Sequence, residues 1–177
     1  VRDAVPLSSA GNIRMLDAVE ARLESGQGSD GLAEYLTRMG VRYLIVRNDL
    51  APDAQAPLPI RVHQALEGST GIRRVKWFGP IVDRNDGVQV IADEGTRLSY
   101  PAVEIYEVRA SNEPTDPRAV LRPADAPVAV SGGPEALLPL ADAGALGNRT
   151  VVLDGDPDAA GLAAAYGITS DTDRRRE

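Results

Sequence analysis

Apolar residues recur every three or four positions at the start of the chain, and then the period changes. Ile13, Leu16, Val19 and Leu23 keep helical spacing, while Arg14, Asp17, Glu20 and Glu24 fall on other faces. This predicts an amphipathic helix capped by Asn12 and ended by Gly26. Gln27-Gly28-Ser29-Asp30 reads as a turn, with Ser29 or Asp30 capping a second helix striped by Leu32, Ala33, Leu36 and Met39. Gly40 suits the left-handed position just past a helix. Beyond it, Tyr43-Leu44-Ile45-Val46 is an unbroken apolar run that ends at the polar cluster Arg47-Asn48-Asp49. Such a run predicts a strand buried on both faces, the central strand of a helix-covered sheet.

Three prolines in Ala51–Pro59 exclude regular structure and predict an exposed connection, followed by a short helix over Ile60–Glu67. Ile72–Phe78, Val88–Ala92 and Val103–Val108 read as strands. Their short connections, through Gly79-Pro80, Asn85-Asp86-Gly87 and Gly95–Pro101, predict antiparallel pairing. Asn112–Pro127 is proline-punctuated and reads as a linker or a strap. A βαβα pattern follows: strand Val128–Val130, helix Glu135–Ala143, strand Val151–Leu153, helix Asp158–Tyr166 and a last strand at Ile168-Thr169. The fold class is α/β in the broad sense (α+β mixed), a mixed sheet with covering helices and a C-terminal βαβα segment packed on it. Residues 1–110, 111–127 and 128–177 make up the sheet region, the strap and the lobe. The lobe is too short to bury a core alone, so all three belong to one unit.

Composition narrows the partners. With 26 acidic and 19 basic residues among 177, the net charge of −7 argues against nucleic acid. The absence of cysteine excludes disulfides, thiolate metal sites and cysteine nucleophiles. Lys76 is the sole lysine, and arginine with abundant Ala, Gly and Pro points to a high-GC genome. No apolar run approaches a membrane span. The chain starts at Val1 without a signal-peptide pattern and stops at Arg174-Arg175-Arg176-Glu177 with no closing element, so it reads as a piece of a longer polypeptide.

Candidate chemistry is sparse. Ser131-Gly132-Gly133 sits where a phosphate-binding turn would, but the nucleotide-loop spacings are missing and Pro134 removes a donor, leaving a plain βα turn. Asp154, Asp156 and Asp158 lie at a strand's carboxyl end, where carboxylates face a ligand or a cation such as Ca²⁺, or simply cap the next helix. The twelve-residue calcium-loop signature is missing, so no metal site is assigned. Arg47, Asn48 and Asp49 hold the corresponding place after the central strand. His63 is the single histidine, beside no sequence-evident nucleophile, and reads as structural. Trp77 beside Phe78 would stack on a sugar ring if exposed, although packing in the core is the favoured reading. Arg174-Arg175-Arg176 reads as a solvated terminal run. The ligand-contact candidates are therefore Arg47, Asn48, Asp49, Trp77, Asp154 and Asp156, with no catalytic residue and no cofactor.

Four stretches, taken in order, carry a resemblance: Gly40-Val41-Arg42-Tyr43-Leu44-Ile45-Val46-Arg47-Asn48-Asp49-Leu50, Val62-His63-Gln64-Ala65-Leu66, Tyr100-Pro101-Ala102-Val103-Glu104-Ile105-Tyr106 and Thr172-Asp173-Arg174-Arg175-Arg176-Glu177. They resemble the soluble extracytoplasmic region of the membrane-embedded α-(1→3)-arabinofuranosyltransferases of GT-C architecture that build cell-envelope arabinan in actinobacteria. The resemblance implies a polyprenyl-phosphate arabinofuranose donor, an arabinan acceptor and an acidic catalytic residue near the membrane, none of which maps onto a residue here. It implies a non-catalytic accessory domain, partnered by the transmembrane region of the same polypeptide and possible arabinan contact, on the periplasmic side. A free-standing α/β enzyme or nucleotide-binding protein would instead unite Asp49, Gly132 and Asp154 in one pocket. A pure assembly module would expose an apolar patch that the rest of its polypeptide normally covers.

Overall fold

Ser9, not Asn12, caps the first helix: its Oγ accepts from the Asn12 N–H at the start of α1 (Ala10–Ser25). The computed structural model describes residues 9–50, 57–83, 99–110, 127–147, 149–153 and 166–169. The stripe of α1 that meets the core is Met15, Ala18, Val19 and Leu23. Leu16, one residue step around the helix from Met15, faces solvent. Gly26 ends the helix as expected, at φ 71° with its N–H donating to the Leu23 carbonyl.

The second helix, α2 (Leu32–Arg38), begins without a cap from Ser29 or Asp30. Its N-terminus is closed from outside by Asp142, whose Oδ1 accepts from the Gly31 N–H at 2.9 Å and from the Ser29 hydroxyl. Arg22 of α1 holds the other oxygen. The approach is so close that a Cβ on Gly31 would lie 2.2 Å from the Asp142 nitrogen. Leu32, Ala33 and Leu36 are buried, and Met39 packs against the same core. At the C-terminus Gly40 has φ 77°, its N–H donates to Thr37 and that of Val41 to Leu36. These two bonds form the Schellman arrangement that only glycine adopts cheaply.

β1 (Tyr43–Arg47), β2 (Ile72–Asp83) and β3 (Ser99–Val108) form an antiparallel sheet in the order β1-β3-β2. The apolar run is therefore an edge strand, not the central one. Leu44 and Val46 pack inward, but Tyr43 is 59% and Ile45 67% exposed. The run lacks alternation because both of its faces are apolar, and within these residues only one is covered. Between β1 and β2, α3 (Pro59–Glu67) packs against α1 and β2.

The C-terminal lobe has β4 (Val128–Ser131), a 3-10 turn (Pro134–Ala136), α4 (Leu137–Asp142), β5 (Val151–Leu153) and β6 (Tyr166–Thr169). Its strands are parallel, in the order β5-β4-β6. The mixed character of the fold thus resolves into one antiparallel and one parallel sheet. One core joins them, through Leu32, Tyr35, Leu66, Tyr106, Val128, Val130 and Leu138. The expected strand Val88–Ala92, all of the strap but Pro127, most of the Ala51–Pro59 connection, Asp154, Asp156 and the terminal arginines lie outside the described residues. So does the expected Asp158–Tyr166 helix except for Tyr166, which opens β6 instead.

Candidate functional site

Strand alternation turns Glu104, Tyr106 and Val108 of β3 into the protein, and the Glu104 carboxylate is completely buried. A buried carboxylate has to be compensated, and three elements supply donors. Arg74 Nη1 comes from β2 to Oε1. Asn48, directly after β1, donates through Nδ2 to Oε2 at 3.0 Å and to the Pro101 carbonyl at 2.8 Å. His63 of α3 brings Nε2 to Oε2, while its Nδ1 lies 2.8 Å from the Pro59 carbonyl, one helical turn earlier. The imidazole thus lies between two oxygens, the Glu104 carboxylate at Nε2 and the Pro59 carbonyl at Nδ1. The Tyr100 ring stacks on His63 at 3.7 Å with 9° between planes, and Tyr106 meets it edge-on.

Burial pushes the Glu104 carboxyl up, but the hydrogen bonds from Arg74, His63 and Asn48 outweigh it and hold the group below the usual carboxylate range. Burial raises the Tyr106 and Tyr100 phenols. The Tyr106 hydroxyl and Asn48 Oδ1 are buried without a hydrogen-bond partner. Among the described residues the cluster is closed around its core: His63 and Glu104 are buried against each other, and Arg74, its side chain 44% exposed, reaches the surface. That guanidinium lies 5.6 Å from the centre of the Trp77 ring.

Trp77 is 60% exposed, so the core-packing expectation does not hold. It stands opposite Glu104 on the edge strand β2, where Arg74 lies against it. Arg47 and Asp49 form a two-point ion pair with each other, at 2.7 and 2.9 Å, while Asn48 between them is buried. Asn48 and Trp77 are thus linked through Glu104 and Arg74. Asp49 follows a strand of one sheet and Gly132 a strand of the other. Among the described residues, no three His, Asp or Glu are grouped to hold a metal. Reading the sequence missed Glu104, Arg74 and Tyr100. The available signal was a glutamate flanked by Val103 and Ile105 within a strand.

The same chain has clear relatives. The sequence model of the family described as α-(1→3)-arabinofuranosyltransferase, N-terminal GT-C domain, matches residues 1–177. The chain belongs to this arabinofuranosyltransferase family. The α-(1→3)-arabinofuranosyltransferase of Mycolicibacterium smegmatis is 40% identical over 187 residues, and that of Mycobacterium tuberculosis 37% over 182. Each match takes in 100% of this chain but 13% of the relative, so the chain spans about an eighth of those transferases. A cryo-EM structure of the arabinofuranosyltransferase AftD from mycobacteria superposes with a TM-score of 0.73 at 38% identity, over 96% of this chain and 13% of that one. A point variant of that transferase gives 0.75, also at 38% identity, over 97% and 14%. Among the described residues, no helix is long and apolar enough to cross a membrane.

Proposed function

We propose that this chain is a non-catalytic extracytoplasmic accessory domain of a cell-wall arabinofuranosyltransferase, which scaffolds the enzyme or guides its arabinan acceptor. The observation that carries this reading is the closed His63–Glu104–Arg74–Asn48 cluster. The side chains best suited to proton transfer are locked together inside, where they brace α3 against all three antiparallel strands. A general acid or base has to reach its substrate, and removing one typically costs about 10²–10⁴ in rate. The full-length transferase carrying His63→Gln is expected to keep kcat per folded molecule to within a few-fold. A loss of about a thousandfold in a folded enzyme would mean that the cluster takes part in the chemistry.

The acceptor-guiding form of this reading is favoured by Trp77, an exposed indole with a guanidinium beside it, which suits stacking on a sugar ring and hydrogen bonding to its hydroxyls. Trp77→Ala in the full-length enzyme should then raise KM for an arabinan acceptor and leave kcat alone. An unchanged KM would reduce the proposal to scaffolding.

A further inference from the structure

The outer face of the antiparallel sheet is built unlike an ordinary solvated surface. Across β1, β3 and β2 its rows read Tyr43–Glu107–Arg73, Ile45–Ile105–Lys76 and Arg47–Val103–Phe78. Tyr43, Ile45 and Phe78 are exposed, and Val103 and Ile105 partly so, which makes an apolar band running diagonally across three strands. Several of the charges around the band meet one another or the band itself. Glu107 accepts from Arg73 at 2.8 Å and from Arg109 at 3.2 Å, Arg47 holds Asp49, and the Lys76 ammonium lies 5.7 Å from the centre of the Phe78 ring. What runs unbroken across the three strands is the apolar band, while the border around it sets Arg47, Arg73, Arg109 and Lys76 against Asp49 and Glu107. The band matches an apolar protein surface.

The relatives indicate where such a surface comes from. This region makes up 13% of their length, so most of the polypeptide lies outside it and is tethered to it covalently. Tethering keeps a partner at high effective concentration, so a band of this size suffices without strong intrinsic affinity. We propose that Tyr43, Ile45, Phe78, Val103 and Ile105 form an internal docking face that packs against an apolar surface of the same transferase polypeptide outside these 177 residues. This rests on the scaffolding reading and names the surface that does the scaffolding.

The test uses the full-length transferase with Ile45→Cys on a background free of other reactive thiols, reading maleimide labelling of the folded enzyme against the same protein unfolded in urea. A photo-crosslinking residue at the same position then identifies the neighbour. Labelling at least tenfold slower than in urea, together with a crosslink to a peptide outside this region of the same molecule, is the expected result. Labelling within a few-fold of the unfolded rate overturns the proposal. So does protection that appears only as protein concentration rises, which means a second copy, or a crosslink to lipid or glycan alone. Failure here leaves the His63→Gln result standing, so the docking face and the non-catalytic reading fall separately.

Discussion

On β3, Glu104 and Tyr106 point into the protein, while Val103 and Ile105 beside them point out of it. The two faces of one sheet therefore divide polarity in an unusual way. The inner face holds a carboxylate, a guanidinium, an imidazole and an amide in mutual contact, whereas the outer face holds Tyr43, Ile45 and Phe78 in the open. An antiparallel sheet with one solvated side normally alternates hydrophobic inside and polar outside. Buried ions add little net stability compared with apolar packing, but they fix partners in one geometry, here α3 against β1, β2 and β3. The inner face thus combines apolar packing by Leu44, Val46, Ile72, Tyr106 and Val108 with this hydrogen-bonded network, and the outer face is left for packing by something else.

Substitutions on the inner face should give the largest effects. Glu104→Ala leaves Arg74, His63 and Asn48 around an empty position, at a cost of about 3–5 kcal/mol. That loss would be read as reduced protection from hydrogen exchange across β2 and β3 in the full-length enzyme. Asn48→Ala strips a donor from Glu104 and from the Pro101 carbonyl, so about 1–3 kcal/mol is expected from the same measurement.

A pH series probes the same face more gently. Because the Glu104 carboxyl is depressed in the folded state, its contribution is fully present above the ordinary glutamate value of about 4.3. It is lost as pH falls through the folded value, since the unfolded chain takes up the proton first. Glu104→Gln should flatten this acid limb of the stability profile, and an unchanged slope would assign the limb to other carboxylates. The smallest change belongs to Tyr106→Phe. Its hydroxyl is buried without a partner, so removal should shift stability by no more than about 0.5 kcal/mol, or raise it slightly. A loss of about 2 kcal/mol would show that the hydroxyl is hydrogen-bonded after all.

Much of the fold was legible because local chemistry decides local structure. Gly26 and Gly40 end their helices where the pattern placed the stops, and most strands lie on the β-favouring runs. The turn expected at Gly79-Pro80 is instead an irregularity inside β2, which continues to Asp83. What stayed hidden depends on distance along the chain. Asp142 caps α2 from more than a hundred residues away, and no local signal links it to Gly31. Glu104 was obscured by its own strand: Val103 and Ile105 on one parity and Ala102, Tyr106 and Val108 on the other are all apolar, so alternation could not say which side faced inward. The same ambiguity made Tyr43–Val46 read as a strand covered on both faces. Within these residues one face is bare, and in the whole transferase the docking face would restore the second cover.

The most direct measurement is amide hydrogen exchange over residues 43–47 and 103–108 in the full-length enzyme, comparing the parent with Ile45→Thr. Threonine keeps the β-branched shape and strand preference, so the change tests burial alone. If the outer face is packed against the rest of the polypeptide, exchange should accelerate about tenfold or more, corresponding to about 1.4 kcal/mol. If the face meets water, a surface change of at most about 0.5 kcal/mol leaves exchange within roughly twofold, and the account of this sheet as a docking element is wrong.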